Sequence, residues 1–163
     1  MTADKLPQLN LPAYGARVRG DGVTTPLQIH DDLRRRWVAL TPEEWVRQHF
    51  VHYMIGGLGY SAFRIANEIG LRVGTRRRRS DTVVYDDRLQ PAMVVEYKAP
   101  HIALTARVIE QIARYNLVYR APYLTVTNGM RIICLHVDSF GDTVNLPHIT
   151  PLRSLPAYAD LTR

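Results

Sequence analysis

Pro91-Ala92-Met93-Val94-Val95-Glu96-Tyr97-Lys98 reads as a β-strand that is apolar on both faces until Glu96. Such a strand runs between two covering layers rather than along a wet surface. Just upstream, Asp81-Thr82-Val83-Val84-Tyr85 is β-branched and ends in the turn Asp86-Asp87-Arg88, so the two runs predict a hairpin. Downstream, Pro100 stops the strand, and Leu104, Val108, Ile112, Tyr115 and Tyr119 recur at helical spacing over residues 104–120. Pro122 forbids continuation of that helix. Strands over 123–127 and 131–137 follow, separated by the tight-turn pair Asn128-Gly129.

Working back toward the N-terminus, Thr41-Pro42-Glu43-Glu44 carries a helix start: a capping threonine, a proline at the first helical position, and a glutamate placed to complete a capping box. Val46, Phe50, Tyr53 and Met54 continue the helical period, and Gly56-Gly57 supplies glycines to end it. Segments 60–66 and 68–73 have strand character. The order helix, strands, helix, two strands predicts an α/β fold, a mixed central sheet flanked by helices. The length of 163 residues suits one domain. Within it, 1–33 reads as an extended lead-in with one short strand near residues 15–19, 34–137 as the core, and 138–163 as a proline-containing tail.

Composition narrows the function classes. One cysteine, Cys134, excludes an internal disulfide framework and a cysteine-rich zinc site, and its apolar surroundings make it a core residue. No apolar run approaches the roughly 20 residues of a membrane span, and the first residues lack the apolar region of a signal peptide. A soluble, cytoplasmic chain is therefore expected. Lys plus Arg is 21 against 15 acids, a net charge of +6 that favours a polyanionic partner. Residues 64–79 carry Arg64, Arg72, Arg76, Arg77, Arg78 and Arg79 against one acid, Glu68, so this stretch holds +5 of the +6. Only two of the 21 cations are lysines, Lys5 and Lys98, and Lys98 closes the most apolar strand.

Strand alternation sets Glu96 and Lys98 on one face, roughly 6–7 Å apart. Asp81 opens the partner strand and can reach the same end of the sheet. Two converging carboxylates make a hard oxygen site suited to Mg²⁺ or Mn²⁺. A lysine beside it can orient a metal-bound water and offset charge developing on phosphorus. The competing reading is a structural ion pair at a strand end. The preceding Met93-Val94-Val95 run and the upstream aspartate favour the metal site over it.

Five segments in order also resemble a known family: residues 38–48, Arg79-Ser80-Asp81-Thr82-Val83-Val84-Tyr85, Val94-Val95-Glu96-Tyr97-Lys98-Ala99-Pro100, Gln111-Ile112-Ala113-Arg114-Tyr115-Asn116 and residues 122–129. They are similar to the N-terminal domain of type I restriction enzyme R subunits and, more widely, to the PD-(D/E)xK nuclease superfamily. The resemblance implies a restriction-endonuclease-like core and Mg²⁺-dependent cleavage of DNA. It implies that Asp81 and Glu96 bind the metal with the Tyr97 backbone carbonyl, that Glu44 helps through water, and that Lys98 is the catalytic lysine. It also implies roles for Gln111 and Tyr115, which match a Gln-x-x-x-Tyr signature. Ser80 stands where the superfamily name has proline. No Gly-x-x-x-x-Gly-Lys-Ser/Thr run occurs, so motor and specificity functions are expected on partner chains, if the domain is not free-standing. Cutting both strands with one site calls for a homodimer or two successive nicks. A non-cleaving DNA adaptor and an RNA or branched-DNA nuclease remain alternatives.

The arginines Arg76, Arg77, Arg78 and Arg79, with Arg72, are expected at a turn touching DNA phosphates beside the scissile bond. Arg34-Arg35-Arg36 is a weaker second candidate. His49 and His52 read as part of a half-exposed helix face, and Trp37 and Trp45 as packing residues around the helix start.

Overall fold

The computed structural model describes residues 6–73, 76–140 and 148–161, with the backbone alone described for 69–73, 76–80 and 115. The central element is the predicted hairpin: β5 (Arg76–Tyr85) and β6 (Pro91–Tyr97) pair antiparallel from Val84↔Met93 to Thr82↔Val95. Six strands make the main sheet in the order β4-β5-β6-β7-β8-β9, adding β4 (Ile65–Val73), β7 (Tyr123–Thr127), β8 (Ile132–Ser139) and β9 (His148–Leu152). Every pair is antiparallel except β6 and β7, which run parallel with Val94↔Leu124 and Val95↔Thr125. A parallel neighbour needs a crossover, and helix α2 (Ala106–Tyr119) provides it.

Alternation along β5 and β6 feeds two separate cores. Val84, Met93, Val95 and Tyr97 pack with Val46, Phe50, Val51 and Met54 of helix α1 (Pro42–Leu58) on one face. Val83 and Val94 pack with Ile112 and Ala113 of α2, and with Leu124, Val126 and Leu135, on the other. The result is the expected α/β arrangement, a mixed sheet flanked by helices and consistent with a restriction-endonuclease-like core. Among the described residues no helix is long and apolar enough to cross a membrane. Cys134 is buried, as its setting predicts.

Local signals place α1 well at its start. Thr41 Oγ1 accepts the Glu44 N–H at 3.1 Å, and Pro42 takes the first helical position. Its end differs from expectation. The helix runs through Gly56 and Gly57 to Leu58 and stops at Gly59, whose φ of 73° is left-handed. Ile55 and Leu58 pack against the core, which holds the last turn helical past the paired glycines.

Four further expectations are corrected. The lead-in supplies two strands, β1 (Val18–Arg19) and β2 (Gln28–Asp31), of a second sheet completed by β3 (Arg36–Ala39) and packed around Leu27, Ile29 and Leu40. Segment 60–66 begins as a 3-10 turn, Ala62–Arg64, before β4. The tail returns to the sheet as edge strand β9, with His136↔Thr150 and Leu135↔Pro151, and ends in the short helix α3 (Tyr158–Leu161). Pro151 is tolerated because an edge strand leaves one side unpaired. Finally, the tetra-arginine is strand rather than turn: Arg76 to Arg79 pair with Val73 to Gly70. Trp45 packs as expected, its indole N–H donating to the Pro7 carbonyl at 2.9 Å.

Candidate active site

The β5–β6 ladder stops at Thr82↔Val95, one rung before Asp81 and Glu96 would oppose each other. In place of that rung, the Tyr97 N–H donates to Asp81 Oδ2 at 2.9 Å. On its other side β6 stays anchored, the Lys98 N–H donating to the Thr127 carbonyl at 2.9 Å. The acids therefore sit where two strands part and a third holds one of them in place. Lys98 Nζ donates to Glu96 Oε1 at 2.7 Å, with the Glu96 side chain 15% exposed. Burial pushes the Glu96 carboxyl above its ordinary value, and the Asp81 charge pushes it further, against the pull of Lys98 and Arg47.

Beneath them lies a polar layer that alternation alone does not foresee. The Tyr97 hydroxyl donates to Thr82 Oγ1 at 3.0 Å, Thr82 donates to Asn67 Oδ1 at 2.7 Å, and Asn67 Nδ2 donates to Asp31 Oδ2 at 3.2 Å. Burial keeps the Tyr97 phenol far above its ordinary value, so it remains a donor. Asp31, fully buried, accepts from the Arg34 backbone N–H at 2.8 Å and from its guanidinium. Burial would raise the Asp31 carboxyl, and these bonds outweigh it, holding it below the usual range.

Glu44 is the first-helix acid, and its oxygens are taken up. Oε1 accepts from Gln48 Nε2 at 2.8 Å and Arg34 Nη2 at 3.1 Å, while Oε2 accepts from Arg47 Nη1 at 2.8 Å. Its side chain therefore does not turn back to the cap as a capping box would have it. Arg47 reaches on to Asp81 Oδ1 at 3.2 Å. Arg34 also pairs with Glu68 at 2.6 Å. Arg34 is thus an internal counter-ion, which corrects its reading as a DNA contact. The sequence did not announce Arg34, Arg47, Glu68 and Asp31 as members of one buried charge network. The available signal was Glu44, Arg47 and Gln48 at the spacing of an inward helix stripe that continues as Val51.

The remaining candidates are more dispersed. Gln111 lies exposed on α2, on the sheet face toward which Val94 and therefore Glu96 alternate. Tyr115 lies one turn further along the same helix, its side chain outside the described residues. Arg72, Arg76, Arg77, Arg78 and Arg79 lie on β4 and β5, in the part of that ladder beyond the last β6 pair, and their side chains are likewise outside the described residues. His49 bonds to the Trp45 carbonyl, and His52 stacks on Tyr14 with ring centroids 3.9 Å apart, so both serve packing.

Among the described residues no three His, Cys, Asp or Glu side chains gather to hold a metal ion by themselves. The donors at Asp81 and Glu96 nonetheless suit Mg²⁺, which takes one or two carboxylates and completes its shell with water and substrate phosphate.

A family model described as Type I restriction enzyme R protein N terminus matches residues 42–156. The chain belongs to that family. The match runs from α1 through β9 and so contains Glu44, Asp81, Glu96, Lys98, Gln111 and Tyr115. Membership points to a nuclease-like role in a restriction system. No curated protein matches the chain. The β1–β3 sheet precedes the family match, yet it delivers Asp31 and the adjoining Arg34 to the site.

Proposed function

We propose that the domain hydrolyses DNA phosphodiester bonds with Mg²⁺ or Mn²⁺ as cofactor. One observation supports this reading above the rest: the β5–β6 ladder opens one rung short of Asp81 and Glu96, with the Tyr97 N–H on Asp81 Oδ2 at 2.9 Å and Lys98 bonded to Glu96 at 2.7 Å. Asp81, Glu96 and the Tyr97 carbonyl would hold the ion, with Glu44 contributing through water. The bound ion would supply Lewis-acid charge to a phosphate oxygen. Lys98 keeps Glu96 oriented and brings a mobile proton donor to the place where a phosphate would lie. Lysine suits that task where arginine does not, because the arginine pKa lies above ~12 and its guanidinium does not shed a proton at working pH.

The DNA itself would be held by the arginine-bearing end of the β4–β5 ribbon. A two-stranded ribbon fits the major groove, and arginines at its positions suit phosphate contact. Motor and specificity chains of a restriction complex, and a second copy for double-strand cutting, are the partners this reading invites.

Supercoiled plasmid incubated with Mg²⁺ or Mn²⁺ tests it. The wild type should nick the DNA, and Lys98→Ala should lower the rate at least a hundredfold while DNA affinity in EDTA changes less than threefold. Full cleavage by Lys98→Ala refutes the mechanism. DNA binding of equal strength with and without metal, and no nicks from the wild type, makes the domain a non-cleaving adaptor. Preference for RNA or flapped substrates in the same assay would redirect the substrate assignment.

A further inference from the structure

Arg47 takes no part in the chemistry above, yet it joins α1 to both strands that carry the acids. Its side chain is 7% exposed. Nη1 lies 2.8 Å from Glu44 Oε2 and 3.5 Å from Glu68 Oε1, Nη2 lies 3.2 Å from Asp81 Oδ1, and the guanidinium carbon lies 5.5 Å from the Tyr97 ring centre. Its Nε is buried with no hydrogen-bond partner among the described residues. A buried donor left unmatched is costly, so the placement serves the acids rather than the guanidinium's own satisfaction. Glu68, held at a left-handed φ of 56°, faces Asp81 across the β4–β5 ladder between Asn67↔Thr82 and Ile69↔Ser80. A non-glycine residue pays for that backbone shape only where its surroundings impose it. Here the imposed shape brings a third carboxylate to the same arginine.

We propose that Arg47 is a positioning residue for the metal-binding carboxylates, holding Asp81 and Glu44 in the orientation that accepts a divalent ion. The inference rests on the metal site proposed above. Two effects of opposite sign compete. A cation 3.2 Å from a ligand oxygen repels an incoming metal ion. Against this, Asp81 has one backbone anchor, the Tyr97 N–H on Oδ2, and a carboxylate held at one oxygen rotates easily about its last torsion. Arg47 supplies the second anchor. Its charge is already shared among three carboxylates, which weakens the repulsion, whereas the orientation it enforces stays undiminished. Orientation therefore dominates, as it does for partners that hold metal ligands generally, where removal costs about 10–100-fold in affinity.

The sign of the effect is the test. Mn²⁺ is titrated calorimetrically into the full chain without DNA, and the bound ion is followed by electron paramagnetic resonance. Arg47→Met should weaken Mn²⁺ binding about 10–100-fold despite deleting a positive charge, and broaden the spectrum of the bound ion. Arg47→Lys, which keeps the charge and loses the fork, should weaken it about tenfold and decides the matter if Arg47→Met does not fold. Tighter binding by Arg47→Met, or unchanged binding by either folded variant alongside a lowered unfolding midpoint, overturns the inference and leaves Arg47 a counter-ion. A wild type that binds no Mn²⁺ instead overturns the metal site itself, and the inference with it.

Discussion

Asp31 and Asp138 each accept from three donor groups, one in the dry interior and the other at the solvent-facing edge of the sheet. Asp31, at the end of β2, is fully buried and accepts from the Arg34 backbone, the Arg34 guanidinium and Asn67. Asp138, near the end of β8, has a side chain 36% exposed and accepts from His136 at 2.9 Å, His148 at 2.8 Å and Thr150 at 2.5 Å. In water each of these bonds replaces one that solvent would have made, and the attraction between charges is screened. In the interior neither compensation exists, so an unpaired partner bears its full desolvation cost. Three accepted hydrogen bonds are therefore ornament at the β8–β9 edge and framework beneath the candidate site.

Removing the buried cation should break the comparison most visibly. Arg34→Ala strips a counter-ion from Asp31, Glu44 and Glu68 at once. Urea unfolding should show a loss of about 3–5 kcal/mol, typical of breaking a buried pair from one side. A loss under about 1 kcal/mol would mean water reaches these acids and the contrast is false.

A neutral member of the same layer should matter less. Thr82→Val keeps the shape but leaves the Tyr97 hydroxyl and Asn67 Oδ1 without their partner. The expected cost is about 1–3 kcal/mol in the same unfolding experiment. Tyr97→Phe combined with Thr82→Val should recover part of it, because one orphaned group is then gone.

The smallest effect belongs to the exposed cluster. The Thr150 hydroxyl first, then His136, and also His148, hold the Asp138 carboxyl down at about 2, below its ordinary 3.8. A carboxyl lowered on folding contributes stability that is complete above pH 3.8 and disappears as pH falls through about 2. Asp138→Asn should therefore lower the unfolding midpoint slightly at neutral pH, less than Thr82→Val does. The difference from wild type should fade as pH drops from 4 towards 2, and raised salt should shrink it at any pH. A shift as large as that of Arg34→Ala would place the cluster in the interior class.

Much of this division was legible residue by residue, and its limits are physical. Thr41-Pro42 marked the start of α1, and Asn128-Gly129 the β7–β8 turn, because caps and turns are decided by chemistry within a few residues. The Met93-Val94-Val95 run announced a strand covered on both faces, and alternation set Glu96 beside Lys98. The β2 and β3 strands escaped notice because Gln28–Asp31 and Arg36–Ala39 are short and mixed in polarity, and only pairing makes them strands. β9 was hidden by Pro151, which an edge position permits. Arg34 reads as a DNA contact, and Arg47 draws no notice, for another reason: a guanidinium in water and one buried against carboxylates are spelled alike.

The amino-acid order by itself determined the hairpin, the crossover helix and the meeting of aspartate, glutamate and lysine at one sheet end, since each follows from periodicity and turn chemistry over short distances. Only the packed molecule decided which charges lie in the dry layer and which face water. That choice depends on segments as far apart as Asp31 and Asp81 meeting α1, the one through Arg34 to Glu44 and the other through Arg47, and the dielectric they create there exists in no stretch of chain taken alone.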